Sequence, residues 1–403
     1  MHSSGSPIVS NLQSQTWNHT LPTALLLLAP FDILASLAMD IYLPVVPAMP
    51  GMLQTSPTIV QLTLSLYMLM LGFGQIVFGP LSDRIGRRPV VLGGAALFIL
   101  ASFLLAIASS GAMFLGLRIL QALGASAALV ATFATVRDVY AERPEGTAIY
   151  SLLGSMLAFV PALGPIAGAL IAEWFGWQAI FATLGILGVI ALINALPNWP
   201  ETRPKREGTE TVAFARILTN ASFWTYTLGF SAAMGSFFVF FSTAPRLLIG
   251  RAGFSEIGFS LAFSTAAFVM ILTSRFAKRF VGRWGVAGSL ARGMLLLLLG
   301  ASLLVVGQGL VEPSFWSFLP PMWIIAVGIV FTASVTANGA LQEFGSVAGT
   351  AVALYFCIQS VIVGVAGTMS VVLLGGDTVW PLAGYCAVMA LITLAALARL
   401  SRR

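Results

Sequence analysis

The dominant pattern in this chain is a series of long apolar runs, each bounded by Gly, Pro or charged residues. A bilayer core about 30 Å thick needs roughly 20 apolar residues per helix, and lipid leaves no backbone group unpaired. The pattern therefore predicts an all-α membrane protein with 12 transmembrane helices. The runs lie at 21–43, 58–79, 90–109, 112–136, 147–171, 178–197, 221–244, 255–274, 286–307, 315–336, 346–374 and 378–399.

A polar stretch at 198–220 separates the sixth run from the seventh. We therefore expect an N-terminal six-helix bundle over 1–197, a cytoplasmic linker over 198–220, and a C-terminal six-helix bundle over 221–403. Each half carries a basic segment after its second run, at 79–88 and 274–283, which we expect to be a loop in both cases. This weak internal symmetry is typical of transporters built from repeats.

The distribution of Lys and Arg predicts the orientation. If both termini are cytoplasmic, 16 of the 20 Lys and Arg residues lie on the inner side. Only Arg246 and Arg251 then lie outside, while Arg118 and Arg292 fall within apolar runs. Since cytoplasmic loops carry the excess of positive charge, the count favours cytoplasmic termini.

The composition supports a membrane protein. Hydrophobic residues make up 58% of the chain and charged residues only 8%, against roughly 25% charged in a soluble domain. The net charge of +6 is clustered between apolar runs, which indicates membrane orientation rather than nucleic-acid binding. Cys357 and Cys386 both lie inside apolar runs, so we expect no disulfide framework, metal site or cofactor.

Two carboxylates lie in the first apolar run. Asp32 is near its middle, and Asp40 follows about 12 Å along the helix towards the outer end. A charge at such depth is costly and usually marks an ion or substrate path. Because removal from water favours the protonated carboxyl, Asp32 is a candidate for carrying a coupled proton. A static hydrogen-bond network at Asp32, and a capping role at the membrane rim for Asp40, are the alternatives.

Arg118 lies in the fourth run and cannot lose its proton, so it must find acceptors. Asp32, Asp40 and Gln121 are the candidate partners, and the sequence does not choose among them. Movement between this arginine and a titrating acid would couple proton binding to conformation. A permanent structural ion pair is the alternative.

The fifth run combines Pro161, Gly164, Pro165 and Gly168. Two glycines four residues apart allow close helix contact, and the prolines remove backbone donors and favour a kink. We expect this helix to lie at an interface that rocks, although ordinary helix packing would also explain the glycines.

Enzyme and channel functions are disfavoured. The segment 124–128 loosely resembles the Gly-x-Ser-x-Ala of intramembrane serine proteases. Such an enzyme needs a histidine base within the membrane, whereas the two histidines of this chain, His2 and His19, lie in the N-terminal tail. No nucleotide-binding loop is present, so ATP is not the expected energy source. No ring of like charges or filter-like polar loop indicates a channel.

The segment Gly79-Pro-Leu-Ser-Asp-Arg-Ile-Gly-Arg-Arg88 resembles the signature between helices two and three of the major facilitator superfamily and matches it in full. Arg118 is similar to the fourth-helix arginine of that family. The segment 164–169 resembles its antiporter motif, departing at Val160 and Ala169, where glycine is usual. The resemblance implies that Asp83 helps to latch the cytoplasmic side. The signature residues are Gly79, Asp83, Arg84, Gly86, Arg87 and Arg88.

Three segments, 29–44, 235–245 and 334–341, resemble the florfenicol and chloramphenicol exporters within this superfamily. The resemblance implies a monomeric drug:proton antiporter of the bacterial inner membrane, with Asp32 and Arg118 in coupling and substrate binding. Its partners would be a small neutral phenicol, protons and the lipid bilayer. A broader multidrug exporter and a nutrient facilitator remain open. The residues that could contact the drug are Tyr42, Phe237, Phe240, Asn338 and Gln359.

Overall fold

The computed structural model describes residues 17–140, 145–203, 213–310, 314–344 and 348–402. Within these ranges the regular secondary structure is helical and no strand occurs, so the predicted all-α class is confirmed. The long helices are α1 Leu21–Asp40, α2 Pro57–Ile85, α3 Arg87–Ala106, α4 Gly111–Tyr140, α5 Glu145–Phe175, α6 Trp177–Asn198, α7 Ala221–Pro245, α8 256–284, α9 286–310, α10 Phe315–Leu341, α11 Ala348–Ile362 and α12 Trp380–Leu400.

Shorter elements connect some of these helices. A 3₁₀ turn at Leu43–Val45 and a short helix at Met49–Met52 lie between α1 and α2, and another short helix at Ala213–Leu218 precedes α7. A π-helical turn at Val363–Gly367 and a helix at Thr368–Leu374 extend α11. Most of the polypeptide therefore lies in long helices joined by short connections.

The helices have the length and surface that a bilayer requires. Among the described residues, ten helical segments are long and apolar enough to cross a membrane, counting Glu256–Leu310 as one. Large apolar side chains such as Ile107 and Leu373 are about 70% exposed, a position that costs nothing in lipid. Trp174 and Trp316 are exposed near helix ends, where aromatic residues commonly sit at the membrane–water interface.

The packing follows the order of the chain. Helix α1 contacts α4, α5 and α6, while α3 packs along α4 and α6, and α2 along α4. Helix α7 contacts α10, α11 and α12, and the α8–α9 segment packs along α10 and α12. The first six helices meet the last six where α2 packs on α11 and α5 packs on α8.

The prediction of loops at 79–88 and 274–283 is wrong. Helix α2 continues to Ile85 and α3 begins at Arg87, with only Gly86 between them at φ 111°. In the second half only Gly285, at φ 69°, interrupts the helix. Both helices extend beyond their apolar runs. Charged side chains at the helix ends reach water, and the backbone there stays hydrogen-bonded. A glycine reverses the chain in each half because φ > 0 is strained for other residues.

Candidate functional site

The two carboxylates of α1 are enclosed by protein. Asp32 is 3% exposed and Asp40 is 7% exposed. Within the described part of the chain, neither side chain has a hydrogen-bond or ion-pair partner. Buried polar groups are nearly always hydrogen-bonded in folded proteins. Each of these enclosed carboxyl groups is therefore available to exchange a proton or to bind a group of a ligand.

Arg118 on α4 is fully buried and is held by uncharged acceptors. Its Nη1 donates to the carbonyl of Ala38 at 2.9 Å and to Oε1 of Gln121 at 2.6 Å. Gln121 in turn donates from Nε2 to the hydroxyl of Ser102 at 2.8 Å. The Nε and Nη2 groups of Arg118 have no partner among the described residues. Of the three partners considered from the sequence, Gln121 is the one that the structure places on the arginine.

Two tyrosine rings enclose the same guanidinium. Its central carbon lies 4.6 Å from the ring centroid of Tyr42 and 4.4 Å from that of Tyr67. The Tyr67 hydroxyl donates to the carbonyl of Ala35 at 2.7 Å, and the Tyr42 hydroxyl lies 2.7 Å from that of Thr63. Desolvated cation–π contacts can contribute about 2 kcal/mol. The rings thus hold a positive charge close to α1 without neutralising it.

Helix α5 lies directly against the end of α1. A Cβ atom at Gly168 would lie 1.6 Å from the carbonyl oxygen of Ile41. A Cβ atom at Gly164 would lie 3.3 Å from Cβ of Asp40. The close contact expected from the two glycines is therefore present, and it sets the position of Asp40. Helix α5 continues unbroken through Pro161 and Pro165.

Helix α5 also bonds to α8. The hydroxyl of Ser260 donates to the carbonyl of Pro165 at 3.0 Å, and that of Ser264 donates to the carbonyl of Ala162 at 2.5 Å. The carbonyl of Pro165, and that of the residue after Pro161, thus accept bonds from the second half of the chain. Helix α5 therefore connects the acid-bearing α1 with α8.

The signature residues form an ionic network at one end of the first six helices. Arg87 lies 2.6 Å from a carboxylate oxygen of Asp83 and 2.7 Å from one of Asp138. The carboxylate of Glu201 accepts the backbone N–H groups of Arg87 and Arg88 at 2.8 and 3.2 Å. The network joins α2, α3, α4 and the segment after α6, and it stabilises the sharp turn at Gly86.

The sequence model of the Major Facilitator Superfamily matches residues 29–368. The chain belongs to this superfamily. The match covers most of the chain, so this facilitator is a multi-pass membrane transporter with the fold of that family.

Two curated relatives are similar over most of the length of this facilitator. A chloramphenicol resistance protein of Pseudomonas aeruginosa is 50% identical over 380 residues, covering 94% of this chain and 91% of that protein. The multidrug resistance protein MdtL of Escherichia coli O81 (strain ED1a) is 30% identical over 336 residues, covering 81% of each chain.

Solved transporters share the fold at low sequence identity. A peptide transporter POT in complex with sulfate has a TM-score of 0.78 at 13% identity, covering 96% of this chain and 97% of that one. A D-xylose–proton symporter has a TM-score of 0.76 at 16% identity, covering 93% and 97%. These likenesses concern the architecture of the facilitator alone.

The predicted drug-contact residues occupy different environments. Tyr42 and Phe240 are fully buried, and the Phe240 ring stacks on Phe263 at 4.9 Å. Asn338 on α10 is exposed. Gln359 on α11 is 4% exposed, and its Nε2 has no partner among the described residues. The structure thus places Asp32, Asp40, Arg118 and Tyr42 on or against α1, and it places Phe237, Phe240, Asn338 and Gln359 on helices of the second half.

Two polar residues of α2 were not among the residues predicted from the sequence. Tyr67 lies against Arg118, and Gln61 is 1% exposed with both amide atoms unpaired among the described residues. Both lie within the second apolar run, which was treated only as a membrane span. A glutamine in such a run was a visible signal, because an amide in lipid also needs partners.

Proposed function

We propose that this facilitator exports the phenicol antibiotics chloramphenicol and florfenicol across the bacterial inner membrane in exchange for protons. It would act as a monomeric transporter rather than an enzyme. Each of α1 to α12 would cross the membrane, with both termini in the cytoplasm. The observation that carries the drug assignment is the 50% identity, over 94% of the chain, to a chloramphenicol resistance protein.

Proton coupling is supported by the two enclosed acids of α1. Asp32 would carry the exchanged proton and contact the drug, with Asp40 as a second titrating group. Protonation removes a negative charge from a low-dielectric region that also holds the fixed positive charge of Arg118, where charge interactions are strong. The preferred packing around α1 would therefore differ between the protonated and ionised states. That difference is what converts a proton gradient into movement.

The driving force is sufficient for resistance. One proton moving inward across roughly 150 mV releases about 3.5 kcal/mol. At 1.4 kcal/mol per factor of ten, this sustains a drug gradient of about a few hundredfold. One proton per drug molecule would therefore lower the internal concentration usefully.

Phenicols are neutral and combine one aromatic ring with hydroxyl and amide groups. The half-buried Phe237 could contact the ring, while Asn338 and the unpaired Nε2 of Gln359 could bond to polar groups. Tyr42 and Phe240 are enclosed by other side chains. They would contact drug only after the helices rearrange.

Alternating access would arise from rocking of the unit 1–197 against the unit 221–403, joined by the linker 198–220. The contacts of α2 with α11 and of α5 with α8 are the surfaces on which such a movement would occur. Gly72 lies against Ser360 at the α2–α11 contact, and serine hydroxyls bond across the α5–α8 contact, so the helices can approach closely at both.

The test is chloramphenicol accumulation in cells that lack other drug pumps. The parent should lower accumulation, and a protonophore should abolish the effect. Asp32→Asn should lose export while still being inserted in the membrane. Asp377→Asn makes the same chemical change at a half-exposed acid and should export normally. Full export by Asp32→Asn would refute the coupling role, and protonophore-resistant flux would indicate a facilitator.

A broader multidrug exporter is the second candidate, and the similarity to MdtL favours it. Inhibitory concentrations for phenicols, cationic dyes and quinolones, with and without expression, separate the two. Resistance confined to phenicols supports the narrower function.

A further inference from the structure

An apolar groove of about 390 Å³ lies between α8 and α10, away from the acids of α1. Its lining includes Leu272 and Phe276, which are 50% and 56% exposed. Further along α8 come Phe280 and Trp284, and Val327 of α10 lies in the same lining. The groove thus opens on the outer surface of the helices, where lipid is the surrounding solvent.

Aromatic rings and an arginine form one end of the groove. The ring centroid of Trp284 lies 5.0 Å from that of Phe280 and 5.1 Å from that of Phe331. The guanidinium carbon of Arg292 lies 4.8 Å from the Trp284 centroid, and the Arg292 side chain is exposed. A ligand in the groove would therefore meet apolar walls along its length and a positive charge at one end.

A basic stripe runs along α8 beside the groove. Arg279 follows Phe276 by three residues and Arg283 follows Phe280 by three, a spacing that makes helix residues neighbours. The stripe also contains Arg275, and Lys278 lies close by. All four basic side chains are exposed, and none has an ion-pair partner within the described residues.

The turn at Gly86 in the first half corresponds to the turn at Gly285 beside the groove, but it contains carboxylates that pair with its basic residues. Gly86 and Gly285 each lie 29 residues after the start of the preceding helix. Beside Gly86, carboxylates of Asp83 and Asp138 bond to Arg87. No described carboxylate does the same beside Gly285. Among the described residues, the positive charge near the groove is therefore left without a counter-charge.

We propose that the α8–α10 groove binds an anionic phospholipid. One acyl chain lies against Phe276 and Phe280, and the phosphate contacts Arg279, Arg283 and Arg292. Basic pockets between membrane helices are suited to anionic headgroups. A second copy of this chain fits less well, since it would bring one basic stripe against another. A neutral drug would leave the arginines without a counter-charge.

Tryptophan quenching by brominated lipids tests the proposal on the full-length protein in nanodiscs. Phosphatidylglycerol with brominated acyl chains should quench the fluorescence of Trp284. The quenching that is lost in the variant Trp284→Phe is the part that comes from this residue. Competition with unlabelled lipid should show phosphatidylglycerol binding at least about tenfold more tightly than phosphatidylcholine. Inorganic phosphate and dihexanoyl phosphatidylglycerol should compete poorly, because they lack a chain that fills the groove.

The double variant Arg279→Gln/Arg283→Gln should lose the preference for phosphatidylglycerol while Trp284 is still quenched. The control Arg399→Gln/Arg402→Gln removes the same charge from the last turn of α12 and the residues after it and should keep the preference. Equal binding of both lipids by the parent overturns the proposal. So does a preference that survives in the double variant or disappears in the control. A melting temperature for each variant confirms that the protein is folded.

Discussion

Replacing Gly168 with alanine places a methyl group where α5 meets the backbone of α1. The new Cβ would lie 1.6 Å from the carbonyl oxygen of Ile41, whereas ordinary contacts begin near 3.4 Å. Because the obstacle is backbone, the helices must separate by about 2 Å, and overpacking of this kind costs about 1–3 kcal/mol. Glycine to alanine in an open helical position instead stabilises by about 0.5–1 kcal/mol. The sign of the change in the free energy of unfolding therefore distinguishes a closely packed Gly168 from an open helical position.

The assay is thermal unfolding in detergent, combined with chloramphenicol accumulation in cells. Gly116→Ala on α4 is the matched control, because a Cβ there meets nothing within 4 Å. We expect Gly168→Ala to lower the melting temperature and reduce export, because the separation also displaces Asp40. Gly116→Ala should unfold at or slightly above the parental temperature. If Gly168→Ala were as stable as Gly116→Ala, the α1–α5 contact described above would be wrong.

Three further substitutions test other contacts. Arg118→Lys keeps a donor for Gln121 and for the Ala38 carbonyl but loses the planar group between the two tyrosine rings, so export should fall more than about tenfold at unchanged expression; near-parental export would contradict this. Asp138→Asn removes a charged partner from the buried Arg87 and should cost on the order of 3 kcal/mol in thermal unfolding. Glu201→Gln removes the charge but keeps an oxygen that can accept the N–H groups of Arg87, Thr202 and Arg203, so it should cost less, about 1 kcal/mol, and the reverse order of these two losses would refute the assignment.

The helices could be predicted from sequence because each apolar run falls largely within one long helical segment. Their ends could not, since helices continue past the lipid wherever water solvates their side chains. The segment 79–88 illustrates this, because its charges indicate a loop while the backbone stays helical up to Gly86. The apolar pattern records where lipid ends rather than where hydrogen bonding ends.

The charged residues of the candidate site could be predicted from the sequence, whereas most of their neighbours could not. Asp32, Asp40 and Arg118 are conspicuous because a charge in an apolar run has a high energy cost. Of the neighbours of Arg118, Gln121 was among the predicted partners. Ala38 and Tyr67 were not, because they lie on α1 and α2 and reach the arginine only through tertiary packing. Tyr67 in particular looks like any membrane-embedded aromatic residue until its ring is placed against the guanidinium.

The serine–carbonyl pairs between α5 and α8 have a consequence for movement. The two hydroxyls are one helical turn apart, and they face carbonyls that are also about one turn apart. If the helices slide by one turn, about 5.4 Å, Ser264 reaches the carbonyl that Ser260 leaves. The α5–α8 contact would then have a second register that keeps one serine–carbonyl hydrogen bond, so sliding need not break every hydrogen bond at once. Engineered disulfides specific to each register would trap both registers if the α5–α8 contact slides in this way. They would trap only the present register if the contact is rigid.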